Sequence, residues 1–177
     1  MLKSGIMTNI FFTGEKSIGK SYAIDKVIKR LGLSVSGFKT YKKQIIPGKL
    51  SKVFISDVNH KERCDMLNCV AIIYDEKIPN ARTDTFNTIG AKLLQDSDSK
   101  IVVMDELGFL EKDATEFEKA VRECLNSNRP VLGALRKKGQ APWIMEALKN
   151  NSIIIELDGT NNEEMIEYVI SILSEEE

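Results

Sequence analysis

Histidine is nearly absent from this sequence of 177 residues, which contains only His60. Zinc sites built on histidine and a Ser/His/Asp triad therefore have little support. Cysteine is also scarce, because Cys64, Cys69 and Cys124 are odd in number and lack the spacing of metal ligands. The pattern predicts reduced, mostly buried thiols rather than a disulfide framework.

Long apolar runs are missing as well. No stretch approaches the roughly eighteen apolar residues of a membrane span, and no apolar signal core with a cleavage site opens the chain. We therefore expect a soluble, cytoplasmic protein with no membrane contact. The formal net charge is −1, so composition gives no reason to expect nucleic-acid binding. The length suits a single domain over residues 1–177.

The most informative segment runs from Gly14 to Ser21 and reads Gly-Glu-Lys-Ser-Ile-Gly-Lys-Ser. It fits the G-x-x-x-x-G-K-[ST] phosphate-binding pattern, the Walker A motif. Residues 8–13 are a run of β-formers, and apolar residues at helical spacing follow the motif. Strand, loop and helix are the context that the pattern requires, so the segment predicts a P-loop.

Each part of this loop has an expected task. Backbone N–H groups and the positive end of the following helix would hold phosphate oxygens. Lys20 would reach the β- and γ-phosphates, while the hydroxyl of Ser21 would be one ligand of Mg²⁺. The candidate nucleotide-binding residues are Gly14, Glu15, Lys16, Ser17, Ile18, Gly19, Lys20, Ser21 and Tyr22. The alternative is a turn and a cap before a surface helix.

A second motif ends an apolar run, Ile101 to Met104, with Asp105 and Glu106. Open α/β sheets place their ligand crevice at the carboxyl ends of such strands, and the run has the Walker B pattern. Asp105 is the candidate for the magnesium shell, and Glu106 for the group that orients the attacking water. Alone, the run also fits a strand leaving the core into solvated acids. The P-loop upstream favours the functional interpretation.

The developing charge on the transferred phosphate needs a cation beyond Lys20. Arg136 follows a predicted strand and therefore falls on the same sheet edge as the P-loop. It is a candidate sensor or arginine finger in cis. A solvated basic turn is the alternative, and Arg82 or Arg129 could do the same work.

Strands and helices alternate beyond the first helix. The sequence predicts strands at 34–41, 53–58, 69–74, 100–107, 130–135 and 153–157, and helices at 84–94, 113–126, 142–150 and 163–173. The repeated βα order implies a three-layer α/β fold with a largely parallel central sheet and helices on both faces. Turn residues at Pro47-Gly48 and Asn59-His60 indicate an inserted β-hairpin region. Glu175 to Glu177 are expected to form a frayed, solvated end.

The chain resembles the nucleoside-triphosphatase family often called THEP1, small P-loop proteins related to the RecA and AAA side of the superfamily. Four pieces in the family's order carry the resemblance: Gly14 to Ser21, Val35 to Thr40, Val103 to Glu111, and a predicted helix from Phe117 to Leu125 that leads to Pro130-Val131-Leu132-Gly133. The string Asp-Glu-Leu-Gly-x-Leu-Glu within the third piece is similar to the family's DEIG-x-[ML]-E segment and is the most specific of them.

The resemblance implies a RecA/AAA-like P-loop fold and slow, Mg²⁺-dependent hydrolysis of ATP or GTP with loose base preference. By position, Lys20 and Ser21 would bind phosphate and metal, Asp105 would support the metal, and Glu106 would prepare the water. Two other P-loop functions stay open. One is a small nucleotide or nucleoside kinase, and the other is a nucleotide-gated binding module whose protein partner completes the site.

The chain departs from the family within the P-loop, where G-x-P-G-V-G-K-T-T is usual. Lys16, Ser17 and Tyr22 replace the proline, a glycine and the second threonine. If the Ser17 position has a positive φ, its side chain carries strain. After the Pro-Val-Leu strand the family tends to have a His-Arg pair, of which Arg136 matches only the arginine.

Overall fold

A single sheet runs through the molecule in the computed structural model, which describes residues 7–95 and 98–175. Its strands are β1 Asn9–Gly14, β2 Val35–Ile46, β3 Leu50–Asp57, β4 Cys69–Tyr74, β5 Asn80–Ala81, β6 Ile101–Leu107, β7 Val131–Leu135 and β8 Ser152–Leu157. The helices are α1 Lys20–Leu31, α2 Thr83–Thr85, α3 Ala91–Leu93, α4 Thr115–Leu125, α5 Pro142–Ala147 and α6 Asn162–Glu175. Residues 176 and 177 of the expected frayed end lie outside the described residues.

The strands follow the order β5-β4-β3-β2-β6-β7-β1-β8. The five strands from β2 to β8 in this order run parallel, whereas β3, β4 and β5 add to β2 in antiparallel fashion. The largely parallel sheet and the inserted hairpin region are thus confirmed. Parallel pairing aligns the carboxyl ends of β1, β6 and β7, which carry the P-loop, the Asp-Glu pair and Arg136.

The core has two halves, one on each face of the sheet. Val102 and Met104 of β6 pack with α4 and α5 on one face, while Ile101 and Val103 pack with α1 and α6 on the other. Burial on both faces explains why β6 is a continuous apolar run rather than an alternating one. In the described ranges, no helix combines the length and apolar character needed to cross a bilayer.

The segment expected to be one helix at 84–94 is interrupted. A π-helical turn, Phe86–Gly90, separates α2 from α3. A Cβ added at Gly90 would lie 2.9 Å from the ring of Phe117, so the segment packs tightly on α4. Within the same turn, the Asn87 side-chain oxygen accepts hydrogen bonds from the first-turn amides of Glu116 and Phe117. The interruption therefore coincides with contacts to α4.

The thiols follow the sequence expectation in part. Cys69 and Cys124 are buried and Cys64 is exposed, and all three are free.

The short strand β5 and the extension of β2 to Ile46 were not expected from the sequence. The extension pairs only with β3, because β6 pairs with β2 no farther than Lys39. The hairpin thus continues past the sheet edge that carries the P-loop.

Candidate nucleotide-binding site

The loop between β1 and α1 is shaped by its glycines. Gly14 has φ +144° and Gly19 has φ +106°, backbone angles that residues other than glycine rarely adopt. A Cβ at Gly14 would lie 2.6 Å from the carbonyl oxygen of Leu157 on β8. The P-loop therefore depends on glycine at both ends of its motif.

Ser17 has φ +62°, so the position that the family fills with glycine is left-handed here as well. Its Cβ makes this conformation costly, by about 1–2 kcal/mol relative to a right-handed one. The strain expected from the sequence is thus present in the middle of the P-loop.

Lys20 is held inside the loop, with only 9% of its side chain exposed. Its Nζ donates to the carbonyl oxygens of Gly14 and Glu15, at 3.1 Å in both cases. The same Nζ lies 3.3 Å from Oε2 of Glu106. The P-loop lysine thus contacts the second motif. Its contact with the β- and γ-phosphates stays a prediction.

The start of α6 supports the loop from outside. The side-chain amide of Asn162 donates to the carbonyl oxygen of Ile18 at 2.8 Å. Its Nδ2 is also the atom that a Cβ at Gly19 would approach, at 3.0 Å. Asn162 was not predicted as a site residue, because it lies 144 positions beyond Ile18 and belongs to no motif.

Asp105 is buried at the end of β6, with 8% of its surface exposed. Burial raises the pKa of its carboxyl to about 6, although the Ser21 hydroxyl lowers this pKa. The negative charge of Glu106 also raises this pKa. Ser21 and Asp105, both predicted to support the metal, are therefore near each other.

These two residues fit a hard divalent cation. A hydroxyl and a carboxylate are oxygen ligands of the kind that Mg²⁺ takes, and a nearby cation would favour the ionised form of buried Asp105. Across residues 7–95 and 98–175, side chains of His, Cys, Asp and Glu nowhere gather in threes that could hold a metal. The remaining ligands would have to come from phosphate oxygens and water.

Glu106 lies at the opening of the site, with its side chain 35% exposed. Its backbone N–H donates to Oγ1 of Thr40 on β2, at 3.3 Å. Its carboxylate faces Lys20 and retains contact with solvent. A carboxylate in this place can meet both a bound phosphate and a water molecule. Thr40 belongs to a segment that carried the family resemblance, although no individual role was predicted for it.

Arg136 follows β7 on the same edge. Its backbone N–H donates to the carbonyl oxygen of Leu107 at 3.0 Å, and the amide of Ala141 donates to Gly108 at 2.8 Å. The Arg136 side chain lies beside Gly108, where an added Cβ would be 3.5 Å from the arginine Cβ. The loops after β6 and β7 are therefore joined, which brings Arg136 next to the segment that begins with Asp105 and Glu106.

Two charged residues near the site had no predicted role. Lys137 Nζ lies 3.0 Å from a carboxylate oxygen of P-loop Glu15 and 2.8 Å from one of Glu156 on β8. These contacts raise the pKa of Lys137, and the lysine lowers the pKa of Glu15. The basic turn after β7 is thus an ion-pair partner of the P-loop as well as a solvated segment.

Glu111 is the second of them, only 2% exposed. Both of its carboxylate oxygens accept the backbone N–H of Gly108, at 3.3 and 3.1 Å. Burial raises its pKa to about 7. Its place in the Asp-Glu-Leu-Gly-x-Leu-Glu string was the available sequence signal, and the structure shows that it shapes the loop after β6.

The outer P-loop residues are solvent-facing. Lys16 and Ser17 are exposed, and the ring of Tyr22, in the first turn of α1, is 59% exposed. The Lys26 ammonium lies 5.4 Å from the centroid of that ring. Tyr22 is therefore accessible beside the loop, where a nucleotide-binding role remains a prediction.

A strained glycine loop with its lysine, a buried strand-end aspartate near the motif's serine, and an adjacent glutamate share one sheet edge. Together with the parallel sheet they define a P-loop NTPase. A family model described as NTPase matches residues 9–170. The chain therefore belongs to the NTPase family, among THEP1-type nucleoside-triphosphatases.

Individual relatives agree with this assignment. The chain is similar to nucleoside-triphosphatase THEP1 of Methanocaldococcus jannaschii, with 26% identity over 174 residues, covering 92% of this chain and 95% of that protein. The THEP1 protein of Methanosarcina acetivorans is 25% identical over 175 residues, with the same coverage of 92% and 95%. The crystal structure of THEP1 from Aquifex aeolicus matches with a TM-score of 0.71 and 20% identity, over 94% of this chain and 99% of that chain. This last likeness supports the fold.

Proposed function

We propose that this chain hydrolyses ATP or GTP to the diphosphate and phosphate, slowly, with Mg²⁺ and with loose base preference, in the cytoplasm. The single observation that carries the proposal is the convergence of Lys20, Glu106, Asp105 and Ser21 on one sheet edge. The names of the THEP1 relatives support the same reaction.

Each residue has a task in this reaction. The P-loop amides and Lys20 bind the β- and γ-phosphates and offset their charge. Ser21 and Asp105 would hold Mg²⁺, which when bound neutralises charge on the phosphate oxygens. Glu106 orients a water molecule opposite the γ-phosphate and accepts its proton. Arg136 is the proposed cation from the β7 side.

Two features support slow turnover. Lys20 contacts Glu106, so a phosphate has to compete with a carboxylate for the lysine. The backbone strain at Ser17 is a second free-energy cost, because it opposes holding the P-loop in this conformation. Loose base preference is consistent with a site whose assigned contacts are to phosphate, metal and the attacking water rather than to the base.

The test is phosphate release from Mg·ATP and Mg·GTP by the wild type and by Lys20→Ala. Lys29→Ala is the matched control, since Lys29 is an exposed lysine on the same helix. We expect release without any acceptor, loss of at least about a hundredfold in Lys20→Ala, and no change in the control. Release only with a nucleoside or nucleotide acceptor would instead identify a kinase. Tight binding without turnover would identify a nucleotide-gated module.

A further inference from the structure

Lys39 lies beside the metal-binding candidate Asp105. Strands β2 and β6 pair in parallel from Val35↔Ile101 to Lys39↔Asp105, the last pair of the register. Paired residues of neighbouring strands are about 5 Å apart and point to the same face of a sheet. The side chain of Lys39 therefore starts next to that of Asp105, on the face that carries α1 and the P-loop.

Packing fixes this register. A Cβ at Gly37 would lie 2.0 Å from the carbonyl oxygen of Val103, so β2 approaches β6 more closely than a side chain would allow. Phe38 is buried on the opposite face, with its ring centroid 5.4 Å from that of Phe117. Because successive side chains alternate between faces, the Cβ of Lys39 cannot move to the other face without displacing Phe38 from the core.

The charge of Lys39 is uncommitted. Its side chain is half-buried, and within the described residues its ammonium group takes part in no hydrogen bond or ion pair. By contrast, Lys20 and Lys137, whose ammonium groups lie at the site, are each paired with a carboxylate. A lysine stem of four carbons can place the charge anywhere within about 6 Å of its Cα.

We propose that Lys39 is a second cation for the terminal phosphate of a bound nucleoside triphosphate, approaching from β2 while Lys20 approaches from β1. The inference rests on the proposed function, because it assumes that the triphosphate occupies the edge formed by β1 and β6. The γ-phosphoryl group spreads its charge over three oxygens, and cations on different sides stabilise different oxygens. Lys39 thereby distinguishes triphosphate from diphosphate.

The experiment compares Lys39→Gln with Lys43→Gln. Lys43 is the matched control, because it lies on the same face of β2 about 13 Å farther along the strand. Binding of Mg·ADP and of the non-hydrolysable Mg·β,γ-imido-ATP is measured by calorimetry, so that the readout does not depend on turnover. We expect Lys39→Gln to weaken triphosphate binding about tenfold and ADP binding less than twofold. Lys43→Gln should change neither, and Lys39→Arg should restore the preference.

Equal losses for both nucleotides, or no loss for either, would overturn the inference. Turnover then separates it from the proposed function. If the wild type binds the triphosphate through Lys39 yet releases no phosphate, the hydrolase proposal fails and the contact stands. If the wild type hydrolyses ATP and Lys39→Gln keeps both its turnover number and its preference for triphosphate, the contact is wrong and the hydrolase proposal stands.

Discussion

The ammonium group of Lys20 lies 3.3 Å from the carboxylate of Glu106, which joins the P-loop to the end of β6. Each of these groups is needed by a different partner during hydrolysis, the lysine by phosphate and the glutamate by water. Their pairing offsets both charges. Nucleotide binding must separate them, which would free Glu106 at the moment when a water needs to be oriented.

Replacement of Glu106 by glutamine tests this relationship. Glu106→Gln should slow phosphate release at least about a hundredfold, because the amide cannot accept the proton of the water. Nucleotide affinity should stay equal or become a few-fold tighter, since Lys20 loses a competing carboxylate. Single-turnover release and calorimetric titration measure the two effects. Glu123→Gln, at an exposed position on α4, is the control, and release at the original rate in Glu106→Gln would exclude the assigned role.

Glu111 predicts a pH dependence of stability. Its pKa rises from an ordinary value near 4.5 to about 7 in the folded chain, so the folded state binds the proton more tightly. The contribution of Glu111 to the free energy of unfolding should therefore be greatest below pH 4.5. It should fall by about 3 kcal/mol as the pH rises to about 7 and then stay level.

The variant Glu111→Gln should remove this dependence while keeping an acceptor for the Gly108 amide. Urea denaturation at pH 8 should show it to be more stable than the wild type, by up to about 3 kcal/mol, with little difference near pH 4.5. Asp113→Asn, an exposed carboxylate two positions away, is the control. A variant less stable than the wild type at pH 8 would show that Glu111 is stabilising in its charged form.

Ser17→Gly should stabilise the fold by about 0.5–1 kcal/mol. Glycine adopts the left-handed conformation without strain, which stabilises the folded state. This gain in free energy is larger than the entropic cost of ordering glycine, which is more flexible than serine in the unfolded chain. The measurement is the urea midpoint without nucleotide. Gly is also what the family has at this position, so nucleotide affinity should not fall. The control is Ser174→Gly, at the exposed end of α6, which measures the ordinary cost of a glycine in a helix. Destabilisation by both variants would refute the strain at Ser17.

Asn162→Ala should weaken binding of Mg·ATP a few-fold, because the carbonyl of Ile18 loses its side-chain donor and the P-loop loses its external support. The hydrogen bond itself contributes about 1 kcal/mol. Asn126→Ala is a matched control, since that amide donates to the carbonyl of Arg122 at the same distance of 2.8 Å, away from the site. Calorimetric affinities that change equally in both variants would rule out a specific role for Asn162.

Much of the fold was accessible from the sequence because its signals are local. The apolar run of β6, the helical spacing after the P-loop and the Pro47-Gly48 turn each predict one element. The P-loop and the Asp-Glu pair were likewise readable as motifs. The convergence of the two motifs on one edge then followed from parallel βα order.

What the sequence did not reveal depends on contacts between distant segments. The register that sets Lys39 beside Asp105 requires Gly37 to meet Val103, and neither residue indicates this by itself. The amide of Asn162 at the P-loop is a contact of the same kind. The π-helical turn likewise coincides with packing on α4. The spacing of apolar residues within residues 84–94 does not indicate that packing.

The pairing of β1 with β8 has a consequence for biosynthesis. A ribosome delivers the P-loop early, yet β8, whose carbonyl at Leu157 packs against Gly14, and the supporting Asn162 emerge well over a hundred residues later. The nascent chain must therefore hold its phosphate-binding segment unfinished while the intervening strands are made. Until then, Gly14 lacks its packing partner on β8 and the carbonyl of Ile18 lacks its side-chain donor, so the complete P-loop forms late in synthesis.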